Sequence, residues 1–142
     1  MVNNISPKFI SDGLFLSGVI GLESATYYHR ISNYSTSPCI RLVDKKLPYS
    51  WRFPLVYLEN TLPLTEDIEH VAGHLYVTNK ERTICDMILY ECTEEFIYQS
   101  IETYLDEHGT EETLMKYADK YKCIEKMKYY ITTLDKYLED EW

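Results

Sequence analysis

The chain has 142 residues, of which 45% are hydrophobic and 26% charged, and its formal net charge is −9. This composition is typical of soluble globular proteins, and the length allows a sizeable core without disulfides. No apolar run approaches the roughly 20 residues that a membrane-spanning helix requires, and the N-terminal residues do not have the pattern of a signal peptide. We therefore expect one cytoplasmic domain that has no membrane contact.

The charge is unevenly distributed along the chain. Up to Cys85, eight acidic residues are balanced by eight basic ones, so the whole net charge arises from Asp86 onward. No lysine or arginine occurs between Arg82 and Lys116. Such an acidic face does not bind nucleic acid by neutralising phosphates, so direct nucleic-acid binding is not expected. It could bind a basic protein surface, or imitate a phosphate backbone.

The first half of the chain is rich in β-branched and aromatic runs that are interrupted by Pro and Gly. After an N-terminal extension over residues 1–12, these runs predict strands at 13–17, 38–44, 53–59 and 74–78. One helix is predicted over 21–31, because Leu22, Ala25 and His29 fall on one face. Residues 65–73 are predicted to be irregular, with at most one helical turn.

The second half, from 79 to 142, has apolar residues at helical spacing and predicts four helices. Thr78 and Glu81 have the spacing of a capping box at the start of the first helix. Arg82 and Asp86 are four residues apart in the same helix and are interpreted as a structural pair, with a partner contact as the alternative.

The other helix boundaries are also predicted from single residues. Thr93 and Thr110 are expected to begin the second and third helices, and Gly109 to end the second as a C′ residue. Strands followed by helices predict an α+β fold, in which a small mixed or antiparallel sheet is packed by about four helices.

Catalytic and metal-binding motifs are not evident. His70 and His74 have the spacing of a helical zinc pair, but Gly73 lies between them and no metal is expected there. Cys85 falls on an apolar helical stripe, which favours a core role over that of a nucleophile. We expect no cofactor, no metal and no enzymatic activity, and a small hydrolase or transferase is the disfavoured alternative.

Three stretches together resemble a known family, and they are called here the first, second and third motif segments. They read ESATYYHRISN (23–33), VTNKERTICDMI (77–88) and LMKYADKYKCIEKMKYYITTLDKYL (114–138). In this order they resemble segments of the AbiEi-type antitoxins, the antitoxin half of type IV toxin–antitoxin systems. Two positions depart from the family pattern: Thr26 stands in place of Leu, and Arg30 in place of the Gly that follows the histidine.

The resemblance implies the fold of the effector half of that family and a non-enzymatic, partner-directed role. Family members begin with a winged helix-turn-helix DNA-binding domain, whereas only twelve residues precede Gly13 here. We therefore expect the effector half alone. The role of the family that depends on operator binding is not expected of this chain.

Two functions remain open at this point. The first is an antitoxin-like regulatory protein that counteracts a partner nucleotidyltransferase toxin. The second is an inhibitor from a phage or mobile element, such as an anti-CRISPR or anti-restriction protein, whose acidic surface mimics DNA and blocks a nucleic-acid enzyme. Both functions involve protein partners. The candidate partner-binding residues are Glu91, Glu94, Glu95, Glu102, Asp106, Glu107, Tyr27, Tyr28 and His29.

Overall fold

A computed structural model describes residues 17–33, 40–44, 55–57 and 66–140 of the chain. The described elements, in chain order, are β1 (Ser17–Ile20), α1 (Leu22–His29), β2 (Ile40–Asp44), β3 (Leu55–Tyr57), β4 (Ile68–Ala72), β5 (His74–Thr78), α2 (Lys80–Leu89), α3 (Glu94–Asp106), α4 (Glu111–Lys120) and α5 (Ile124–Asp140). Strands and α1 thus precede Thr78, and helices follow it. The predicted α+β fold is confirmed.

The five described strands form one mixed sheet in the order β3-β2-β1-β5-β4. The central strand β1 is antiparallel to β2 and parallel to β5, while β2 is parallel to β3 and β4 is antiparallel to β5. Ile20 of β1 lies opposite Val77 of β5, and both side chains are fully buried. The centre of the sheet therefore contributes directly to the core.

The strand β5 begins and ends as predicted, whereas residues 65–73 were predicted wrongly. Residues 68–72 form β4, which pairs with β5 through a tight connection at Gly73. Gly73 has a φ of 54°, a conformation that glycine adopts without steric cost, so a turn is possible within a single residue. The predicted strands at 38–44 and 53–59 overlap β2 and β3, whereas the one at 13–17 shares only Ser17 with β1, so residues 18–20 were not predicted as strand. Residues 13–16, 38–39, 53–54 and 58–59 lie outside the described residues.

The helix α2 is at the centre of the helical part, where it packs against α1, α3, α4 and α5. Every side chain from Arg82 to Ile88 is buried. Over these residues α2 is therefore covered by protein on all sides and has no exposed polar face. Its apolar residues join those of α3, α4 and α5 in one core cluster that also contains Val19 and Leu22. Within the described residues, no helix is both long and apolar enough to cross a membrane.

Four helices end at a residue other than glycine in the left-handed conformation. These residues are Arg30, Glu91, His108 and Lys122, with φ values of 58°, 53°, 77° and 62°. After α1, the N–H of Ile31 donates to the oxygen of Thr26 at 3.0 Å, and the N–H of Arg30 to that of Tyr27 at 3.2 Å. This is the Schellman pattern, in which position C′ usually carries glycine.

The predicted C′ role of Gly109 was therefore wrong by one residue, because His108 adopts the left-handed conformation. Gly109 is required for a different reason. A Cβ atom there would lie 2.3 Å from the ring of Tyr104, which is closer than any real contact allows. The glycine lets the chain turn directly beneath that ring.

Candidate functional site

The Arg82–Asp86 pair lies in the interior, where α2 meets the start of β4. Arg82 Nε donates to Asp86 Oδ2 at 3.2 Å, and both side chains are 0% exposed. Arg82 Nη1 also donates to the carbonyl oxygen of Glu66 at 3.0 Å. Burial raises the pKa of Asp86 to about 6, although the charge and hydrogen bond of Arg82 act in the opposite direction. The predicted pairing is confirmed, and its burial leaves it unable to contact a partner directly.

A second polar cluster lies beside this pair and connects β4 to the end of α4. Asp67 accepts hydrogen bonds from the hydroxyl of Tyr121 and from Lys120 Nζ, the latter at 2.7 Å. Lys120 also pairs with Glu66 at 2.9 Å. Burial opposes ionisation of Asp67, but the hydrogen bonds from Lys120 and Tyr121 outweigh it and lower the pKa of this carboxyl. Sequence reasoning did not find this cluster, because its members are more than 50 residues apart.

The start of α2 differs from the predicted capping box. The N-cap residue is Asn79, whose side chain accepts a hydrogen bond from the N–H of Arg82 at 2.9 Å. Thr78 ends β5 instead, and its hydroxyl bonds that of Thr83 at 2.5 Å. Glu81 accepts a hydrogen bond from the Tyr104 hydroxyl at 2.8 Å. The cap moves by one residue because Thr78 is held in the strand, which leaves Asn79 to adopt the extended conformation of an N-cap.

The end of α1 holds the predicted residues Tyr27, Tyr28 and His29, all partly buried. His29 Nε2 donates to the carbonyl oxygen of Thr78 at 2.8 Å, and its ring meets that of Tyr28 edge to face at 5.1 Å. Burial lowers the pKa of His29, although the bond to Thr78 and the charge of Glu69 act in the opposite direction. His29 is thus a structural link between α1 and β5. Of the three residues predicted here as partner-binding, Tyr27 and Tyr28 remain as candidates.

The predicted acidic residues are not in one place. Three of them, Glu95, Glu102 and Asp106, recur at helical spacing on the side of α3 that faces away from the core, and they are called here the α3 acidic stripe. Glu95 and Asp106 are exposed and Glu102 is half-buried. The buried residues of α3 are Ile97, Tyr98, Ser100, Ile101 and Tyr104, on the opposite side. Glu107 is instead paired with Lys80 at 3.7 Å.

Glu91 and Glu94 lie in a separate groove between the α2–α3 turn and α5. The groove has a volume of about 460 Å³ and is called here the α5 groove; its lining residues are Ile88, Glu91, Cys92, Glu94, Glu125, Lys126, Tyr129 and Tyr130. Tyr129 is 55% exposed, which among the described residues makes it the one exposed large hydrophobic side chain. The sequence does contain a signal that was missed, because Glu125 and Tyr129 are four residues apart and so share a face of α5.

The cysteines in the described part of the chain are used in packing. Cys85 is fully buried and its thiol is hydrogen-bonded with that of Cys123. This bond and burial raise the pKa of Cys85, so its thiol stays protonated at neutral pH. The predicted core position of Cys85 is confirmed. His70 and His74 lie on two antiparallel strands, and His70 Nε2 donates to the carbonyl oxygen of Gly73 at 2.8 Å.

Comparison with known proteins gives no assignment for this chain. No protein-family model matches the sequence, and no curated protein matches it significantly.

Proposed function

We propose that this chain is a non-enzymatic, antitoxin-like regulatory protein that counteracts a nucleotidyltransferase toxin. The observation that carries the proposal is the way in which the three motif segments meet. His29 of the first segment bonds Thr78 of the second at 2.8 Å. Tyr121 of the third places its ring 5.9 Å from Arg82 Cζ of the second. The three motif segments therefore contact one another, the first through the end of α1 and β5, and the second and third through α2 and the residue that follows α4.

Arg30, which stands where the family pattern has glycine, supports the same proposal. The family has Gly after the histidine of the first segment, and Arg30 stands there in the left-handed conformation, with φ 58° and ψ 39°. Glycine adopts this conformation without the steric cost that other residues meet. At that position the backbone of this chain therefore has the left-handed conformation that glycine adopts most easily.

The test is protection of cells against a toxin. The chain is co-expressed with a nucleotidyltransferase toxin, and growth is followed after the toxin is induced. We expect the wild-type chain to restore growth and the core variant Asp86→Ala to fail at the same expression level, because the variant disrupts the packing of α2. Equal growth arrest with and without the wild-type chain would contradict the proposal.

The α3 acidic stripe favours a second candidate, an inhibitor of a nucleic-acid enzyme that acts through charge mimicry. Carboxylates along one helical face present a row of negative charge, which a basic nucleic-acid groove attracts. The chain would then occupy that groove in place of DNA or RNA, as expected for an anti-CRISPR or anti-restriction protein.

Cleavage assays with a CRISPR-associated nuclease or a restriction enzyme test this second candidate. The variant replaces Glu95, Glu102 and Asp106 by Lys, and we expect it to lose inhibition and the wild-type chain to be displaced by excess substrate DNA. The matched control replaces three exposed carboxylates of α4 and α5 by Lys, namely Glu111, Asp135 and Glu139. Retained inhibition by the stripe variant would exclude mimicry through α3.

A further inference from the structure

The α5 groove combines a fixed aromatic wall with an exposed aromatic ring. Tyr98 stacks on Tyr137 with ring centroids 4.2 Å apart, and Tyr130 meets Tyr98 edge to face at 5.0 Å. The hydroxyl of Tyr98 also bonds that of Thr133 at 2.6 Å. Tyr130 is therefore held by packing between α3 and α5. Tyr129 contacts it edge to face at 5.6 Å and extends its own ring into solvent.

Three carboxylates line the groove beside this aromatic wall. Burial and the nearby negative charge of Glu94 raise the pKa of Tyr130 to about 12, so this carboxylate lies close to the wall. Glu91 and Glu125 complete the rim, and Lys126 is the one basic residue among the lining residues, so the groove has an excess of negative charge. Glu94 and Glu125 lie in the first turns of α3 and α5, where the helix dipole offsets part of each charge but not the whole.

This combination matches the chemistry of one kind of side chain. A guanidinium group is flat, so it stacks on a tyrosine ring, and its N–H groups bind carboxylates in pairs. An ammonium group fits less well, because it is a compact, strongly hydrated point charge. An apolar side chain would leave the rim carboxylates without a counter-charge, and an anion would be repelled.

We propose that the α5 groove binds an arginine side chain of a protein partner, with the guanidinium between Glu91, Glu94 and Glu125 and its flat face against Tyr129. This inference rests on the partner-directed role proposed above and adds the chemistry of recognition. Arginine is enriched among the residues that dominate binding energy at protein interfaces, usually as an anchor in a pocket. The groove would then be the anchor point, with the α3 acidic stripe as a separate surface.

The proposal is tested by NMR titration of the full chain labelled with ¹⁵N. The probe is the blocked tripeptide acetyl-Gly-Arg-Gly-amide, and the matched peptide carries citrulline, which has nearly the same shape without the charge. We expect saturable shifts at the amides of Glu94, Tyr129 and Tyr130 with the arginine peptide, and weaker shifts with a lysine peptide. The citrulline peptide should produce no saturable shift.

Two variants assign the binding to the groove. Glu94→Gln combined with Glu125→Gln should weaken binding of the arginine peptide by about fivefold or more, because charge-assisted hydrogen bonds are lost. Tyr129→Leu should weaken it about threefold, whereas Tyr129→Phe should leave it unchanged, since the ring face remains. The matched control is Glu102→Gln combined with Asp106→Asn, which removes the same charge from the α3 acidic stripe and should not alter binding. Each variant is first checked for a dispersed amide spectrum.

Two results would overturn the proposal: equal shifts with the arginine and citrulline peptides, or shifts that map to the α3 acidic stripe instead of the groove. The titration requires no toxin, so it is independent of the growth assay. If the wild-type chain fails to protect cells but the peptide binds at Glu94, Tyr129 and Tyr130, the antitoxin role fails and the arginine site stands. If cells are protected and no saturable binding occurs, the groove proposal fails alone.

Discussion

Arg82 and Asp86 are charged residues with no exposure to water, and each depends on the other. Moving two charges out of water costs several kcal/mol, which the ion pair and its hydrogen bonds largely offset. Arg82 also bonds Glu66 O at 3.0 Å, so the arginine connects α2 to the segment before β4. Loss of Asp86 therefore leaves the Arg82 charge buried with its bond to Glu66 but without the carboxylate that it pairs with, whereas loss of both residues leaves no buried charge at this place.

We predict that Asp86→Ala lowers the free energy of unfolding by about 3–5 kcal/mol, the usual cost of breaking a buried pair. The double variant Arg82→Met/Asp86→Leu should be less destabilised than Asp86→Ala, because no buried charge remains. Urea denaturation followed by circular dichroism measures both. The control is Glu112→Ala, which disrupts an exposed pair with Lys116 at 4.0 Å and should have no measurable effect. A double variant less stable than the single one would contradict this account.

His29 links α1 to β5 and has a lowered pKa, with burial as the largest cause. The unfolded chain therefore binds a proton near pH 6.5 while the folded protein still holds a neutral imidazole. The contribution of His29 to stability is present above about pH 6.5 and is lost as the pH falls through the lower pKa of the folded state. Asp86 acts with the opposite sign, because its pKa is raised to about 6 and acidification favours the folded form.

We predict that the stability of the wild-type chain, relative to that of His29→Gln, decreases as the pH falls below about 6.5. Because Asp86 is present in both proteins, its contribution cancels in the difference. Unfolding free energies at several pH values supply the measurement. A difference that is constant with pH would show that His29 titrates alike in both states.

At the scale of elements, the helix ends show where local chemistry and tertiary context disagree. Arg30, Glu91, His108 and Lys122 occupy left-handed positions at which glycine is the usual residue. For residues with a Cβ atom this conformation costs about 1–2 kcal/mol each. The surrounding structure maintains it, since at all four ends the next residue donates a hydrogen bond to the preceding helix and is buried or half-buried (Ile31, Cys92, Gly109 and Cys123).

We predict that Arg30→Gly stabilises the protein by about 0.5–1 kcal/mol, because the strain at φ 58° is relieved while some chain entropy is lost. Lys122→Gly should act in the same direction. The matched control is Lys128→Gly, which places glycine in the exposed interior of α5 and should destabilise by about 1 kcal/mol. Thermal melts at one protein concentration compare the three. Destabilisation by Arg30→Gly would mean that contacts of the arginine side chain outweigh the strain.

The starts of α3 and α4 can be compared in the same way. A threonine is the N-cap residue of each helix, but the two side chains differ in whether they make a cap hydrogen bond. Thr110 Oγ1 accepts from the N–H of Thr113 at 3.1 Å, whereas Thr93 makes no side-chain cap bond. The prediction that both residues begin helices is confirmed, but only Thr110 provides the expected bond.

We predict that Thr110→Ala lowers the free energy of unfolding by about 1 kcal/mol, the typical value of an N-cap bond. Thr93→Ala should have less than half of that effect, and it serves as the control with identical chemistry. Urea denaturation of the two variants and the wild type gives the comparison. Equal losses for the two variants would show that the cap bond at Thr110 contributes little.

At the scale of the whole molecule, the net charge of −9 has an energetic cost as well as a possible use. Most acidic side chains from Glu91 onward are exposed, so they repel one another across the surface of α3, α4 and α5. A basic partner surface would relieve that repulsion, and salt relieves it without a partner.

We predict that the free energy of unfolding rises between about 20 and 200 mM NaCl, since the Debye length falls below the spacing of many of these charges. The measurement is urea denaturation, because urea adds no charge. Neutralising the α3 acidic stripe with Glu95→Gln, Glu102→Gln and Asp106→Asn should reduce this increase of the unfolding free energy with salt. Stability that falls with added salt would show that attractive ion pairs outweigh the repulsion.

The residue pattern alone was sufficient to predict the α+β class, the division near Thr78 and the pairing of Arg82 with Asp86. These features depend on residue periodicity and on spacings of a few residues, which the backbone of a helix or strand converts directly into geometry. The hairpin between β4 and β5 was missed because β4 is only five residues long, has no regular alternation of polar and apolar residues, and depends on pairing with β5, a contact that the local pattern does not reveal. The capping box failed because the β5 ladder holds Thr78.

The grouping of the acidic residues, in contrast, depends on how the helices pack. Glu91 and Glu94 are close to Glu95 in sequence, yet they lie with Glu125 in the α5 groove, while Glu95 belongs to the α3 acidic stripe. Likewise, Asp67 meets Tyr121 across 54 positions of the chain. The packing of helices around α2 sets these neighbours, and packing depends on the shapes of all the buried side chains at once. Local spacing therefore specified the elements, and their packing specified the surfaces.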